Sequence, residues 1–340
     1  MWKKQQRVPN FNAPGLIQSL VITSDPQYPW TDCDDVSNFQ NCNNPVVPPC
    51  SKRPEDNSTK ETRSAALISE QYNNINSYTD TVPNASVLIN GDMTAFGHGG
   101  EWDKISSLVR ILKRPYYFGL GNHDIQNNFN DCVNNGCFKN SLENLIYHVQ
   151  ERGIPKDQFD YEAVADGYHW GFPVTKHSGS FAYTVNFGSI CSIQLQNFPT
   201  TNAFAESTIT NTNRFRVFEN IGWIENQLRT ARANGRVIIV NVHRPDDWDG
   251  GPSTRFKNLL KDYKVAAVFC GHYHTRYGDA TNHPFYSQYL GDDIPIFLSG
   301  GASQRTYLIL EQFSDRLEIY AVSCNNWRSR RLEKTIRIPI

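Results

Sequence analysis

Five times along this chain an apolar run of strand length stops and gives way at once to a carboxylate, an amide or an imidazole. Leu20-Val21-Ile22-Thr23-Ser24 is followed by Asp25, Ser86-Val87-Leu88-Ile89-Asn90 by Gly91-Asp92, and Tyr116-Tyr117-Phe118 by Gly119-Leu120-Gly121-Asn122-His123-Asp124. Further on, the run 237–242 ends on His243, and the run 265–270 ends on Gly271-His272-Tyr273-His274. Runs of this kind read as buried strands. Helical patterns between the first three give strand–helix–strand–helix–strand, the pattern of parallel pairing with right-handed crossovers. Parallel strands end at one edge of their sheet, where open α/β sheets hold ligands. One polar ending is an ordinary turn; five in the same sense converge.

The richest ending is 119–124. Two glycines relax the backbone there, and three different polar side chains follow. Asn122 offers a neutral oxygen ligand, His123 exchanges a proton near neutral pH, and Asp124 is placed to fix its tautomer or raise its pKa. Together the endings collect carboxylates, amides and imidazoles, the donors that hold Mn, Fe or Zn. A carboxylate between two metals, with Asn and His ligands, makes a dinuclear site for in-line displacement at phosphorus.

Around these endings the chain reads as follows. Ser58-Thr59-Lys60-Glu61 is a capping box that opens a helix; further helices are expected near 102–112, 141–152, 218–232 and 254–263. Residues 160–178 read as an aromatic, His-containing loop. A hairpin is expected over 180–185 and 190–196, and three strands near 294–299, 306–312 and 316–322 complete the chain. Hydrophobic residues make up 39% and aromatic residues 12% of the 340, enough for a substantial core. With no internal repeat and no low-complexity linker, one domain is expected, its core at about 16–323, with a Cys/Pro-rich insertion at 28–54.

A formal net charge of −1 supplies no field to steer nucleic acid. The cluster Arg328, Arg330, Arg331, Lys334 and Arg337 reads as a solvated strand face, so no nucleic-acid patch is expected. No apolar run has the length of a bilayer span, and residues 1–7 are not followed by an apolar stretch of signal-peptide type. The eight cysteines point the other way. Cys33, Cys42, Cys50, Cys132 and Cys137 lie in loop-like segments, which suggests an oxidising compartment. Cys132–Cys137 is the expected pair by spacing, and three cysteines in 33–50 leave one unpaired or bonded elsewhere. Cys191, Cys270 and Cys324 read as buried thiols. The absence of a C-x-x-C pair stands against structural zinc. Secretion or export is favoured over a cytoplasmic location.

The ordered blocks Asp-Pro-Gln, Gly-Asp, Gly-Asn-His-Asp, the His243 ending and Gly-His-x-His resemble the calcineurin-like metallophosphoesterase superfamily over about 16–323. The resemblance implies an α/β fold: a four-layer αββα sandwich, two facing mixed sheets flanked by helices. It implies two divalent metal ions, with Asp25, Gln27 and His274 on one, Asn122, His243 and His272 on the other, and Asp92 bridging. It implies a hydroxide shared by the metals as nucleophile and His123 assisting the leaving oxygen, oriented by Asp124. The family usually has His where this chain has Gln27. An amide oxygen is a weaker, harder donor than imidazole, so Mn, Mg or Fe is favoured over Zn at that ion. The expected substrate is a small phosphate ester, a nucleotide or a phospholipid head group, as mono- or diester. Two other readings stand beside this one: a weakly active or inactive binding protein on the same scaffold, motivated by Gln27, and the catalytic part of a secreted toxin or effector. His98 reads as a substrate contact or a structural turn. His169 and His177 flank the aromatic loop and are expected to be packed or solvated. Arg244 reads as a phosphate contact or as the partner of Asp246 or Asp247. His148, in a helix, and His283, in a polar loop, are given no role.

Overall fold

Strand β1 (Gln18–Thr23) leads through helix α1 (Asn57–Thr79) to β2 (Ala85–Ile89), and α2 (Gly99–Leu108) leads to β3 (Tyr116–Phe118). These are features of a computed structural model that describes residues 14–35, 42, 45–50, 54–129, 131–207 and 212–338. The one-turn α3 (Asn122–Ile125) and α4 (Gly136–Glu151) follow, then β4 (Glu162–His169), β5 (Phe172–Gly179), β6 (Tyr183–Phe187), β7 (Ile190–Gln194), β8 (Ala203–Ser207) and β9 (Thr212–Val217). Next come α5 (Ile221–Ala233), β10 (Val237–Asn241), α6 (Thr254–Asp262), β11 (Ala267–Cys270), β12 (Tyr277–Asp279) and α7 (Pro284–Leu290). The last strands are β13 (Ile296–Ser299), β14 (Tyr307–Gln312), β15 (Arg316–Val322) and β16 (Arg331–Arg337).

Two six-stranded mixed sheets form the centre, in the orders β16-β15-β14-β1-β2-β3 and β12-β13-β11-β10-β7-β6. Strands β1, β2 and β3 are parallel neighbours, as are β7, β10, β11 and β13, so the polar endings share a sense within each sheet. The sheets face each other across one cluster to which Leu20, Ile22 and Leu308 contribute from the first and Ile239, Phe269 and Phe297 from the second. Residues of α1, α2 and α4 cover the outer face of the first sheet, and those of α5, α6 and α7 cover the second. The result is the expected four-layer αββα sandwich. Each aliphatic side chain buried between the layers contributes about 1.5–3 kcal/mol.

The expected boundaries hold to within a few residues for the five runs, the hairpin and the helices, with three corrections. The cap of α1 is Asp56, whose carboxylate accepts the Thr59 N–H at 2.9 Å, so Ser58 sits inside the first turn. Residues 160–178 are mostly strand: β4 and β5 form a hairpin in a third sheet, ordered β4-β5-β9-β8. Every residue of β4 from Glu162 to Tyr168 is exposed, so no buried/exposed alternation marks it in sequence. The basic residues Arg331, Lys334 and Arg337 lie on β16, a largely solvated edge strand, as their composition suggested.

The third correction concerns Cys324, which is no buried thiol: it is bonded to Cys42 across a sequence separation of 282. Cys33–Cys50 and Cys132–Cys137 are the other pairs, and Cys191 and Cys270 are the buried free thiols. Cys42 is thus the insertion cysteine bonded elsewhere, and it pins the insertion to the far end of the chain. Replacing both Cys42 and Cys324 by Ser is expected to cost about 5 kcal/mol in the loop-closure account, against about 2 kcal/mol for Cys132 and Cys137, whose loop is short. Urea unfolding without reductant measures the difference, and equal losses would remove loop closure as the cause.

Candidate metal centre

The turns at the strand ends do unusual things with ordinary residues. Asp25 (φ 51°), Gln27 (φ 42°), Asp92 (φ 49°) and His272 (φ 70°) all adopt left-handed backbone, and none is glycine. Each costs about 1–2 kcal/mol and persists only where its surroundings hold it. Backbone bonds do the holding. The Asp25 N–H donates to the Gly91 carbonyl at 3.0 Å and the Gln27 N–H to the Asp92 carbonyl at 2.8 Å, which locks the turn after β1 to the turn after β2. Glycine serves here for close approach. A Cβ on Gly121 would overlap the Asp92 carboxylate, and one on Gly91 (φ 87°) would lie 2.6 Å from His243 Nδ1.

Six of the seven expected ligands meet directly. Asp25 Oδ1 is 3.3 Å from His274 Nε2 and 3.9 Å from His243 Nε2. Asp92 Oδ2 is 3.0 Å from His243 Nε2, which also lies 3.2 Å from Asn122 Oδ1. Ligand atoms of Asp92, His243 and His272 all fall within 4.8 Å of one another. Gln27, the seventh, is wholly buried in the same turn as Asp25.

No well-directed hydrogen bond reaches Asp25 Oδ1, Asp92 Oδ2 or either amide atom of Gln27, although all are buried. Leaving such groups unsatisfied costs about 1–3 kcal/mol each. Among the described residues, the ion-pair partners of Asp25 and Asp92 are imidazoles alone. Divalent cations fit this donor set, since they take up the orphaned oxygens and balance the carboxylates. The imidazoles cannot all carry a proton. Burial opposes charge on His243, but Asp92 and Asp25 push it up to about 9. Burial and then the charge on His243 drive His272 down to about 3.

His123 stands beside this group. Its backbone N–H donates to Asp92 Oδ1 at 2.9 Å, and its Nδ1 lies 2.8 Å from the Ala95 carbonyl. That carbonyl, not Asp124, sets the tautomer: a proton on Nδ1 leaves Nε2 as the ring's reactive nitrogen. The expected orienting role of Asp124 is therefore corrected. Its two oxygens are taken by the N–H groups of Met93, Thr94 and Gly121, at 3.0 Å each, and by the Thr94 hydroxyl at 2.8 Å. It staples the turn carrying Asp92 to the turn carrying Asn122 and His123. Burial, then the charge on Asp92, push its carboxyl up to about 7.

Three contributors escaped the sequence reading. Asn90 accepts His243 Nδ1 on its carbonyl at 2.8 Å. Asp35, from the Cys-rich insertion, places Oδ1 at 2.7 Å from His274 Nδ1 and accepts the Trp30 indole N–H at 3.0 Å. Its Oδ2 accepts from Ser303 and Gln304 at 2.7 and 2.6 Å. The Trp30 ring stands edge-on between His123 and His274, with centroids 5.6 and 5.7 Å away. A run-ending Asn before Gly91 was the only local hint for Asn90; Asp35 and Trp30 had none.

Other candidates lie elsewhere. His98 caps α2 and pairs with Glu101 and Asp131, the structural-turn reading. Its neighbours Cys132 and Cys137 are bonded to each other. His177 stacks on Tyr161 and Phe215, so it is packed, and His169 lies 3.5 Å from Glu206. Arg244 pairs with Asp247 and donates to Gln126 at 3.0 Å.

An αββα sandwich that gathers buried carboxylates, imidazoles and amides at the edge of its two sheets is the architecture of a metal-dependent hydrolase. The sequence model of the calcineurin-like phosphoesterase family matches residues 20–276, more than half of the chain, and the chain belongs to that family. Solved structures are similar at low identity. TT1561 of Thermus thermophilus is 9% identical over 90% of this chain and 98% of that one, with a TM-score of 0.41. A putative 5'-nucleotidase from Staphylococcus aureus is 12% identical over 95% of this chain and 54% of that one, TM-score 0.41. The sulfate thiohydrolase SoxB of Thermus thermophilus is 11% identical over 95% and 59%, TM-score 0.46, so this chain spans little more than half of the last two. No curated protein matches the chain in sequence.

Carboxylates that orient a metal-binding imidazole are worth about 10–100-fold in metal affinity. Asp35→Ala is expected to weaken Mn²⁺ binding by that factor in calorimetry on the apo-protein, and Asp35→Asn to do so less. Unchanged affinity in both would leave Asp35 a purely structural residue.

Proposed function

We propose that the chain hydrolyses phosphoric esters at a dinuclear divalent centre. Asp25, Gln27 and His274 hold one ion, Asn122, His243 and His272 hold the other, and Asp92 lies between them. What supports this most is the convergence of orphaned buried oxygens on Asp25, Gln27 and Asp92 with three imidazoles at one sheet edge. Bound there, two divalent ions supply Lewis-acid polarisation of a phosphoryl oxygen and lower the pKa of water towards neutrality.

The chain's own residues position and protonate. His123, its Nδ1–H directed at the Ala95 carbonyl, acts as general acid in its doubly protonated form and gives its Nε2 proton to the leaving oxygen. Asp124 holds the His123 turn against the Asp92 turn. Trp30 and Phe96 present ring edges to His123, at 5.6 and 6.2 Å between centroids, and wall the leaving-group side. The substrate is a small phosphomonoester or phosphodiester, including nucleotides and phospholipid head groups, and the insertion that carries Trp30 contributes to the choice. The amide of Gln27 favours Mn, Fe or Mg over Zn at its ion. Three disulfides suggest an extracellular protein, and among the described residues no helix is long and apolar enough to cross a membrane.

Elemental analysis paired with turnover of aryl phosphate mono- and diesters, before and after chelation, tests this. Two metals per chain, with activity lost on chelation and restored by Mn²⁺, are expected. His123→Ala should cut turnover about 10²–10⁴-fold with metal content unchanged, whereas Gln27→Ala should cut both. Turnover unaltered in His123→Ala would sink its role as acid. One metal or none, with no turnover under any added metal, would favour a binding protein on this scaffold.

A further inference from the structure

A cavity of about 350 Å³ opens beside β3 under α2 and α4. It touches the metal centre only through Met93, the neighbour of Asp92. Met93, Trp102, Ile105 and Phe118 supply its apolar side, Ser106 and Asn144 add polar groups, and the exposed Tyr147 also borders it. Its size falls in the range of small-ligand sites.

Two residues of this lining carry a polar atom that the protein leaves unpaired. His148 is buried, with 3% relative exposure, and its Nε2 has no hydrogen-bond partner. Burial, and then the nearby Arg152, drive its imidazole down to about 3, so the ring is neutral. The Nε of Arg152 is likewise buried without a partner, while the guanidinium lies 4.6 Å over the Tyr116 ring. Among the described residues, neither Arg152 nor Arg110, which also lines the cavity, is paired with a carboxylate. Unpaired guanidiniums beside a partly apolar cavity select an anion that brings an apolar body with it. Glu151, also in the lining, subtracts one charge and sets the preference at a monoanion.

We propose that this cavity is a ligand site for a small aromatic monocarboxylate. The ring enters the apolar end beside the His148 imidazole, and the carboxylate accepts from Arg152 and Arg110. This inference does not depend on the hydrolase reading.

The test is titration of the full-length chain with 4-fluorobenzoate, followed by fluorine NMR and calorimetry after removal of divalent metals by chelation. The expected result is saturable one-to-one binding that the neutral 4-fluorobenzyl alcohol and inorganic phosphate fail to reproduce. Arg152→Gln and the more exposed Arg110→Gln should each weaken it tenfold or more, with circular dichroism confirming that both variants are folded. Arg152→Lys should retain part of the affinity. Absence of saturable binding, or binding unchanged in both glutamine variants, would overturn the proposal. Binding that needs the divalent metal would also overturn it, by placing the carboxylate at the metal centre.

Discussion

One asparagine makes four bonds between the two sheets where their strands end. The sheets come largely from different parts of the chain, and the apolar cluster between them is non-directional: it holds them in contact without choosing a register. Asn90 chooses it. From the end of β2, its Nδ2 donates to the carbonyls of Phe269 at 2.6 Å and Val242 at 3.3 Å, and its Oδ1 accepts from Gln194 at 3.0 Å. Its own carbonyl takes His243 Nδ1. A fully paired amide in a dry interior is worth more than the same bonds in water, and a half-paired one is costly. Asp92, two residues on, is thereby fixed against His243 on the opposite sheet.

Around that anchor the centre is built by spending local stability on charge. Two carboxylates are buried with imidazoles for partners, and their mutual effects push the histidines' proton affinities far apart. The Cys-rich insertion joins in through Asp35, which is itself held below the usual carboxylate range, to about 2, against burial by its bond to His274 and by that ring's charge. An element that looks like surface decoration thus supplies part of the framework for a ligand. The insertion is in turn braced by Arg63, which reaches Asp32 at 2.6 Å, and by the bond from Cys42 to Cys324.

What the sequence displayed and what it hid divide along a physical line. Buried parallel strands are continuous apolar runs, and a polar residue that stops such a run is visible because nothing else explains it; Asp25, Asp92, Asn122, His243, His272 and His274 were all legible on that ground. Asp124 was visible too, but its role was misread, because adjacency to His123 in sequence said nothing about which backbone groups would crowd its carboxylate. Asp35 and Trp30 belong to no periodic element. Cys324 follows an apolar strand, so local pattern marks it as core, and its partner lies almost the whole chain away. The third sheet stayed hidden for a related reason: β4 is solvated on both faces, and β9 reads Thr-Asn-Arg-Phe-Arg-Val, with few apolar residues to signal a strand.

The left-handed turns at Asp25, Gln27, Asp92 and His272 bear on anyone who would rebuild this centre in another protein. Copying the seven proposed ligands onto ordinary strand ends would aim them wrongly, because here left-handed backbone turns four of them towards their neighbours. A recipient scaffold would need the same turns and the carbonyls of Gly91 and Asp92 that secure them. It would also have to accept non-glycine residues where glycine would be the easier choice. The transferable unit is thus a pair of interlocked loops with an amide across two sheets, and the proposed ligand set is only its visible part.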